Sequence, residues 1–316
     1  MKKKLAVIAL GGNALLRGNE TGTIDQQEKN TFDTCKQLVD LIKKDYNIII
    51  THGNGPQVGN ILLRNEAGFD KYKIPQMPMD ICVADSQGGI GYMIERMMRN
   101  VLNEEKIKKD VVTLVTQVLV NKHDPAFENP TKPVGKFYTE SEAKDRMAKE
   151  KWTMVEDAGR GWRRVVPSPK PARIIESRAI KNLVQEDVVV IAVGGGGIPV
   201  IADVNGNLSG VAAVIDKDLA SAVLAKEIGA DLLVISTAVE KVYLNFGKPG
   251  EKPIDRMTVA EAKNYVREGH FKPGSMLPKI QSLIDFLEGG GKEGLVTDPQ
   301  HIPLALEGKT GTWLVP

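Results

Sequence analysis

Residues 5–13 read LAVIALGGN, an unbroken apolar run from Leu5 to Leu10 closed by Gly11, Gly12 and Asn13. A strand with one face in water alternates apolar and polar residues, whereas an uninterrupted β-branched run implies that both faces are covered. The pattern recurs along the chain. Asn47–Thr51 runs into HGNG, and Val188–Val193 runs into Gly194–Gly197. Val111–Val120 reads as one further strand, and Leu232–Ile235 and Gly294–Val296 as two more. Helical spacing lies between them. Ile280, Leu283, Ile284 and Leu287 fall at i, i+3, i+4 and i+7 before Gly289, and the Leu219/Val223 and Ala220/Leu224 pairs precede Gly229. This repetition predicts an α/β fold with an open, mainly parallel sheet, helices on both faces, and ligands at the carboxyl ends of the strands.

Two stretches depart from the pattern. Residues 122–171 carry Pro125, Pro130, Pro133, Pro167, Pro169 and Pro171 and no long apolar run. A plain loop of that length does not suit a compact domain, so the stretch predicts an inserted subdomain or lid. In DVNGNLSG, residues 203–210, Asn205-Gly206 is a hairpin signal that marks the passage from a first domain, 1–210, to a second, 211–316.

Composition narrows the class. Of 316 residues, 42% are hydrophobic and 26% charged, which suits a globular protein rather than a disordered or fibrous one. The net charge of +2 gives no basic face for a nucleic acid. Cys35 and Cys82 are too few for a disulfide framework or a four-ligand zinc site, and no metal ligands are assigned. A reducing, cytoplasmic location is expected. Lys2–Lys4 before Leu5–Leu10 imitates a signal peptide, but the run is short and no small-residue cleavage site follows. No apolar stretch is long enough for a membrane span.

Glycines at strand ends let a ligand approach the backbone, and clusters at 11–13, 53–55 and 194–197 would converge on one anion-binding crevice. The common phosphate fingerprints fail. Gly308-Lys309-Thr310 lacks the P-loop's first glycine, because position 303 is proline. Gly53, Gly55 and Gly59 give a spacing one residue too long for a dinucleotide motif. Three lysines are more informative. Lys217, between Asp216 and Asp218, and Lys279, after Gly274-Ser275, stand near helix starts, where a positive charge opposes the helix dipole and a bound phosphate would relieve it. Lys132 lies in NPTKPVG within the insert. The plain alternative for each is a solvated surface lysine.

ALGGNALL, THGNGPQVG, NPTKPVGKFYTE, EDAGRGWRRVVPSPKP, VGGGGIPV, VIDKDLASAVLA, VYLNFGKP and GSMLPKIQS together resemble the carbamate kinases, a family of the amino acid kinase superfamily, over essentially the whole chain. The resemblance implies the amino acid kinase fold, with two lobes and a protruding lid, and reversible phosphoryl transfer between ATP and carbamate. It places carbamate and the transferring group on Gly11, Gly12, Asn13, Gly53, Asn54 and Gly55. Lys132 reaches in from the lid, and Asp218 orients Lys217 and Lys279. The nucleotide falls to Lys217, Tyr243, Met276 and Lys279, with Mg²⁺ on the phosphates of ATP or ADP. TAVEK, before Tyr243, departs from the TDVDG of many superfamily members, so no side-chain role passes to Ala238 or Glu240.

The implied direction is ATP formation in arginine fermentation. Alternatives are carbamoyl phosphate synthesis by the same chemistry and a kinase of another acid. Carbamate is already an anionic nucleophile and needs no general base, so His52, in its glycine loop, is read as structural. Met77, Met79, Met93, Met97 and Met98 cluster around a helix near residues 90–102 and read as core. The resemblance further implies a homodimer through the first domain.

Overall fold

The computed structural model describes residues 3–18, 20–157 and 159–316. At its centre the Lys4–Leu10 strand pairs in parallel with Tyr46–His52 on one side and Leu232–Ser236 on the other, with Ala9 opposite both Thr51 and Ile235. The eight-stranded sheet continues outward through Val189–Ile191 and Val111–Thr113 on the first side. On the second it passes through Glu293–Thr297 and Thr312–Val315 to Arg256–Thr258. Only the Glu293–Thr297 and Thr312–Val315 pair is antiparallel.

The apolar runs are explained by what covers them. Val7 and Ala9 enter one core, with the helices Ser177–Gln185, Lys217–Ile228, Val259–Arg267 and Met276–Glu288. Ala6, Ile8 and Leu10 enter the other, with Ile24–Lys43, Met79–Glu104 and Ile302–Leu306. Met79, Met93, Met97 and Met98 are buried, as read from the sequence, whereas Met77 is exposed. Gly229 ends its helix in the left-handed conformation at φ 71°. Gly289 caps the later helix without it, and Gly290 takes the positive φ of 99°.

Val111–Val120 is not one strand. Val111–Thr113 belongs to the main sheet, and Gln117–Val120 to a separate four-stranded sheet with Leu208–Gly210, Ile198–Ala202 and Pro171–Ile174. The buried Gln87 side chain breaks the run. Its Oε1 accepts from the Thr116 N–H at 2.8 Å and its Nε2 donates to the Thr116 carbonyl at 3.0 Å, which also accepts from the Ile198 N–H at 2.9 Å, so Thr116 is the point where the chain leaves the main sheet for the second one. The Asn205-Gly206 turn is present. Asp203 Oδ1 accepts from the N–H groups of Asn205 and Asn207, and Ile198–Ala202 returns antiparallel as Leu208–Gly210.

The insert is a lid with structure of its own. Lys132–Tyr138, Trp162–Val166 and Thr153–Glu156 form an antiparallel sheet, joined by the Glu140–Glu150 helix that Thr139 and Glu142 cap reciprocally. Its strands are half-exposed, which is why no continuous apolar run announced them. The lid is docked. Val134 and Val166 pack with Met79 and Val214, and the Tyr138 hydroxyl donates to buried Glu66 on the Gly55–Tyr72 helix at 3.1 Å. Cys35 and Cys82 are free and buried. Among the described residues no helix is long and apolar enough to cross a membrane.

Gly194–Gly197 is fully buried, so it is a packing joint rather than an open cradle. A Cβ at Gly195 would stand 2.2 Å from the Asn54 side chain. One at Gly196, where φ is +91°, would stand 2.7 Å from the Ile215 carbonyl. Gly196→Ala therefore combines left-handed strain with a backbone clash and should cost about 2–4 kcal/mol. A thermal unfolding midpoint equal to the parent's would contradict this account.

Candidate active site

Three elements deliver the site. The central strand ends at Leu10; the next residue, Gly11, donates its N–H to the Ser236 carbonyl at 3.1 Å, and Gly12–Ala14 forms a single tight turn. Its neighbour ends at His52, and Gly53 N–H donates to the Leu10 carbonyl at 3.0 Å. The two glycine loops thus lie side by side at the carboxyl edge. The third element is the Lys217–Ile228 helix, whose first residue lies against Gly53: a Cβ there would stand 3.5 Å from Lys217 Cδ.

Asp218 is the centre of this arrangement. It is 3% exposed, and a carboxylate that buried requires partners. Oδ1 lies 2.5 Å from Lys217 Nζ and Oδ2 lies 2.8 Å from Lys279 Nζ. Lys279 arrives from the first turn of the Met276–Glu288 helix, which packs on the Lys217–Ile228 helix. Lys217 Nζ also donates to the Ala9 carbonyl at 3.4 Å. Burial pushes the Asp218 carboxyl up, but the two ammonium groups outweigh burial and hold it below the usual range. Burial pushes the Lys217 ammonium down, and Asp218 opposes that only in part. Lys132, from the lid, completes the cluster through Asp216 Oδ2 at 3.3 Å. Three ammonium groups therefore face two carboxylates, and the excess charge suits an anion.

Asn54 is buried, and its Nδ2 donates to Ser86 Oγ at 2.8 Å. Gly55 begins the next helix. Asn13 opens toward the other side of its loop, into a cleft shared with Arg17, Thr34, Thr237 and Asp298. Tyr243 and Met276 line a cavity of about 560 Å³ with Phe246, His270 and Lys272, which adjoins that cleft at Thr237 and Ala238. Lys217 and Lys279 do not line that cavity. The structure thus gathers Lys132, Lys217, Asp218 and Lys279 at one point and sets Tyr243 and Met276 in the neighbouring hollow.

Sequence reasoning assigned no role to Asp216, although an aspartate directly before a helical pattern is a recognisable cap signal. It also missed the Thr51–Ser221 hydroxyl pair, 2.6 Å apart, in which Ser221 Oγ donates to the Lys217 carbonyl at 2.6 Å and braces the first turn. Nothing local in the sequence joins those two residues. Among the described residues no group of three or more His, Cys, Asp or Glu side chains is gathered for a metal. The carboxylates of Asp216 and Asp218 are already engaged by lysines.

The chain matches the amino acid kinase family over residues 4–298. A carbamate kinase of Thermococcus kodakarensis is 52% identical over 314 residues, covering 99% of each chain. The carbamate kinase-like protein YahI of Escherichia coli is 49% identical over 314 residues with the same coverage. Among solved structures, carbamate kinase from Giardia lamblia bound to AMP-PNP matches with a TM-score of 0.94 and 46% identity, covering 99% of this chain and 98% of that one.

His52 gives a pH test of the site's interior. Burial pushes its imidazole down to about 4, with the Lys217 charge adding to that and the hydrogen bond to the Gly53 carbonyl opposing it. Its Nδ1 lies 3.0 Å from that carbonyl, so the neutral ring carries its proton on Nδ1 and donates. The folded value lies below the unfolded one of 6.5, so this group's contribution to stability is complete above about pH 6.5 and is lost as pH falls toward 4. The loss is roughly 3 kcal/mol at about 1.4 kcal/mol per pH unit. The His52 imidazole resonances in NMR should not titrate above about pH 5, and an ordinary midpoint near 6.5 would contradict the buried, neutral ring.

Proposed function

Because the chain belongs to the amino acid kinase family and, within it, to the carbamate kinases, we propose that Lys132, Lys217, Asp218 and Lys279 divide one reaction between them. That reaction is reversible phosphoryl transfer: ATP and carbamate give ADP and carbamoyl phosphate. A carbamate oxygen forms the new bond to the γ-phosphorus, the bond from that phosphorus to the β-phosphate oxygen breaks, and ADP leaves. Such a transfer asks little covalent chemistry of the protein. It asks for alignment and for positive charge around the moving group.

The observation that carries the assignment is the buried Lys217–Asp218–Lys279 bridge beside the two glycine loops. One carboxylate holds and aims two ammonium groups that would otherwise repel. Gly11, Gly12, Asn13, Gly53, Asn54 and Gly55 would hold carbamate and the transferring group from the first domain, 1–210. The second, 211–316, would hold the nucleotide in the cavity of Tyr243 and Met276, its phosphates directed to Lys217 and Lys279. Lys132 would close over the carbamate end. The donors present do not fit a protein-held Mg²⁺, so the ion would enter as a complex with ATP or ADP.

The physiological direction we assign, on the family resemblance, is ATP formation from carbamoyl phosphate in arginine fermentation, and the cysteine usage favours a reducing, cytoplasmic location. We also assign a homodimer through the first domain. Phe69, Tyr72, Ile74, Met77 and Ile81, at the end of one helix and the start of the next, are exposed apolar side chains that a partner could cover. Sedimentation at micromolar concentration should give a dimer, and a monomer alone would refute the assignment.

A coupled assay that supplies carbamoyl phosphate and Mg·ADP and detects ATP tests the whole reading; no ATP would overturn it. Lys217→Ala and Lys279→Ala should each raise KM for the nucleotide and lower kcat, with a loss of about 2–4 kcal/mol in transition-state stabilisation. Lys132→Ala should cut kcat by about 10²–10³ while leaving the ADP Kd within about threefold. Parent-like kinetics in a folded variant would remove that lysine from the site.

A further inference from the structure

Asp216 stands between the lid and the lysine cluster, and its two oxygens have different tasks. Oδ1 accepts from the backbone N–H groups of Asp218 at 3.0 Å and Leu219 at 3.4 Å, capping the helix that begins at Lys217. Oδ2 takes the Lys132 ammonium at 3.3 Å. The cap bonds orient the carboxylate, so the helix itself decides where Lys132 is held. The lid touches this stretch at two further points. Val214 N–H donates to the Pro167 carbonyl at 3.0 Å, and Val214 packs with Val134 and Val166. Lys132 is the register partner of Val166, so it projects from the part of the lid that is anchored to the approach of Asp216.

We propose that Asp216 is a positioning residue for the phosphoryl transfer: it holds the lid's Lys132 beside Lys217 in the free enzyme and yields it to the phosphoryl oxygens when they arrive. The proposal rests on the assignment of Lys132 above. A free lysine side chain samples many rotamers and must be ordered at each turnover. A carboxylate at a fixed point removes most of that ordering in advance. The contrast with Asp218 is physical. Asp218 has both oxygens on lysines whose side chains are only 14% and 16% exposed. The Lys132 side chain is 38% exposed, so its pair with Asp216 is screened by water and weak enough to be exchanged for a phosphoryl group of higher charge.

Asp216→Asn separates the two tasks, because asparagine caps a helix as well as aspartate but carries no charge. The measurements are kcat for ATP formation, the ADP Kd and the unfolding midpoint, in the parent and in Lys132→Ala. In the parent, Asp216→Asn should lower kcat by about tenfold, the order expected for coupled neighbours, and leave ADP affinity and the midpoint unchanged. In Lys132→Ala the same substitution should change kcat by less than about twofold, since no ammonium remains to be held. An equal loss in both backgrounds, or a lowered midpoint accompanying the loss, would mean that Asp216 acts through the helix or on the Lys217 charge rather than on Lys132, and would overturn the proposal. Full kcat in Asp216→Asn, with Lys132→Ala impaired, would overturn the proposal and leave Lys132 its role. Full kcat in Lys132→Ala would overturn both.

Discussion

Two like charges must be held a few ångströms apart, out of water, and kept charged. That constraint organises the molecule. Asp218 meets it by giving one oxygen to Lys217 and the other to Lys279. Burial pushes the Lys217 ammonium toward its neutral form, and Asp218 opposes that. The bridge in turn requires two helix starts to meet at one point. The Lys217–Ile228 and Met276–Glu288 helices pack on the same face of the sheet, and Ser221, Thr51 and Asp216 brace the first turn. The shared core beneath them is therefore part of the electrostatic apparatus.

The cluster's net positive charge shows how fold and chemistry divide the energetics. Lysines in a helix's first turn oppose its dipole, and burial adds to the penalty. Asp216 and Asp218 oppose it in part. What remains is a standing attraction for an anion at the place where the glycine loops leave backbone accessible.

Much of this was legible beforehand. Leu5–Leu10 and Leu232–Ile235 announced strands covered on both faces, and Gly229 announced its helix end. The lysines stood out because their positions made poor sense in a helix without a ligand. The failures have physical causes. Val111–Val120 looked continuous because nothing local reveals that Gln87, far away in sequence, takes both backbone groups of Thr116. The lid's strands were hidden because a half-exposed antiparallel sheet lacks the apolar run of a buried one. Gly194–Gly197 shares its composition with the glycine loops at 11–13 and 53–55, and only tertiary contact shows that Asn54, His52 and Ile215 occupy the space its missing side chains leave. The partnership of Lys132 with Asp216 is long-range and lay beyond sequence reading for the same reason.

The unbroken sheet acts as a ruler. On the proposed division, the acceptor's loop follows the Lys4–Leu10 strand, and the segment leading toward the nucleotide cavity follows Leu232–Ser236, its immediate hydrogen-bonded neighbour. Adjacent strands are held about 4.8 Å apart, and a slip of one residue would displace them by about 3.3 Å. On that division, donor and acceptor are spaced by the distance between two hydrogen-bonded strands, the most rigid dimension a polypeptide offers. Adjustment during a catalytic cycle is left to side chains and to the lid. The backbone beneath the reacting atoms serves as a fixed gauge, whose calibration is the pairing of Ala9 with Ile235.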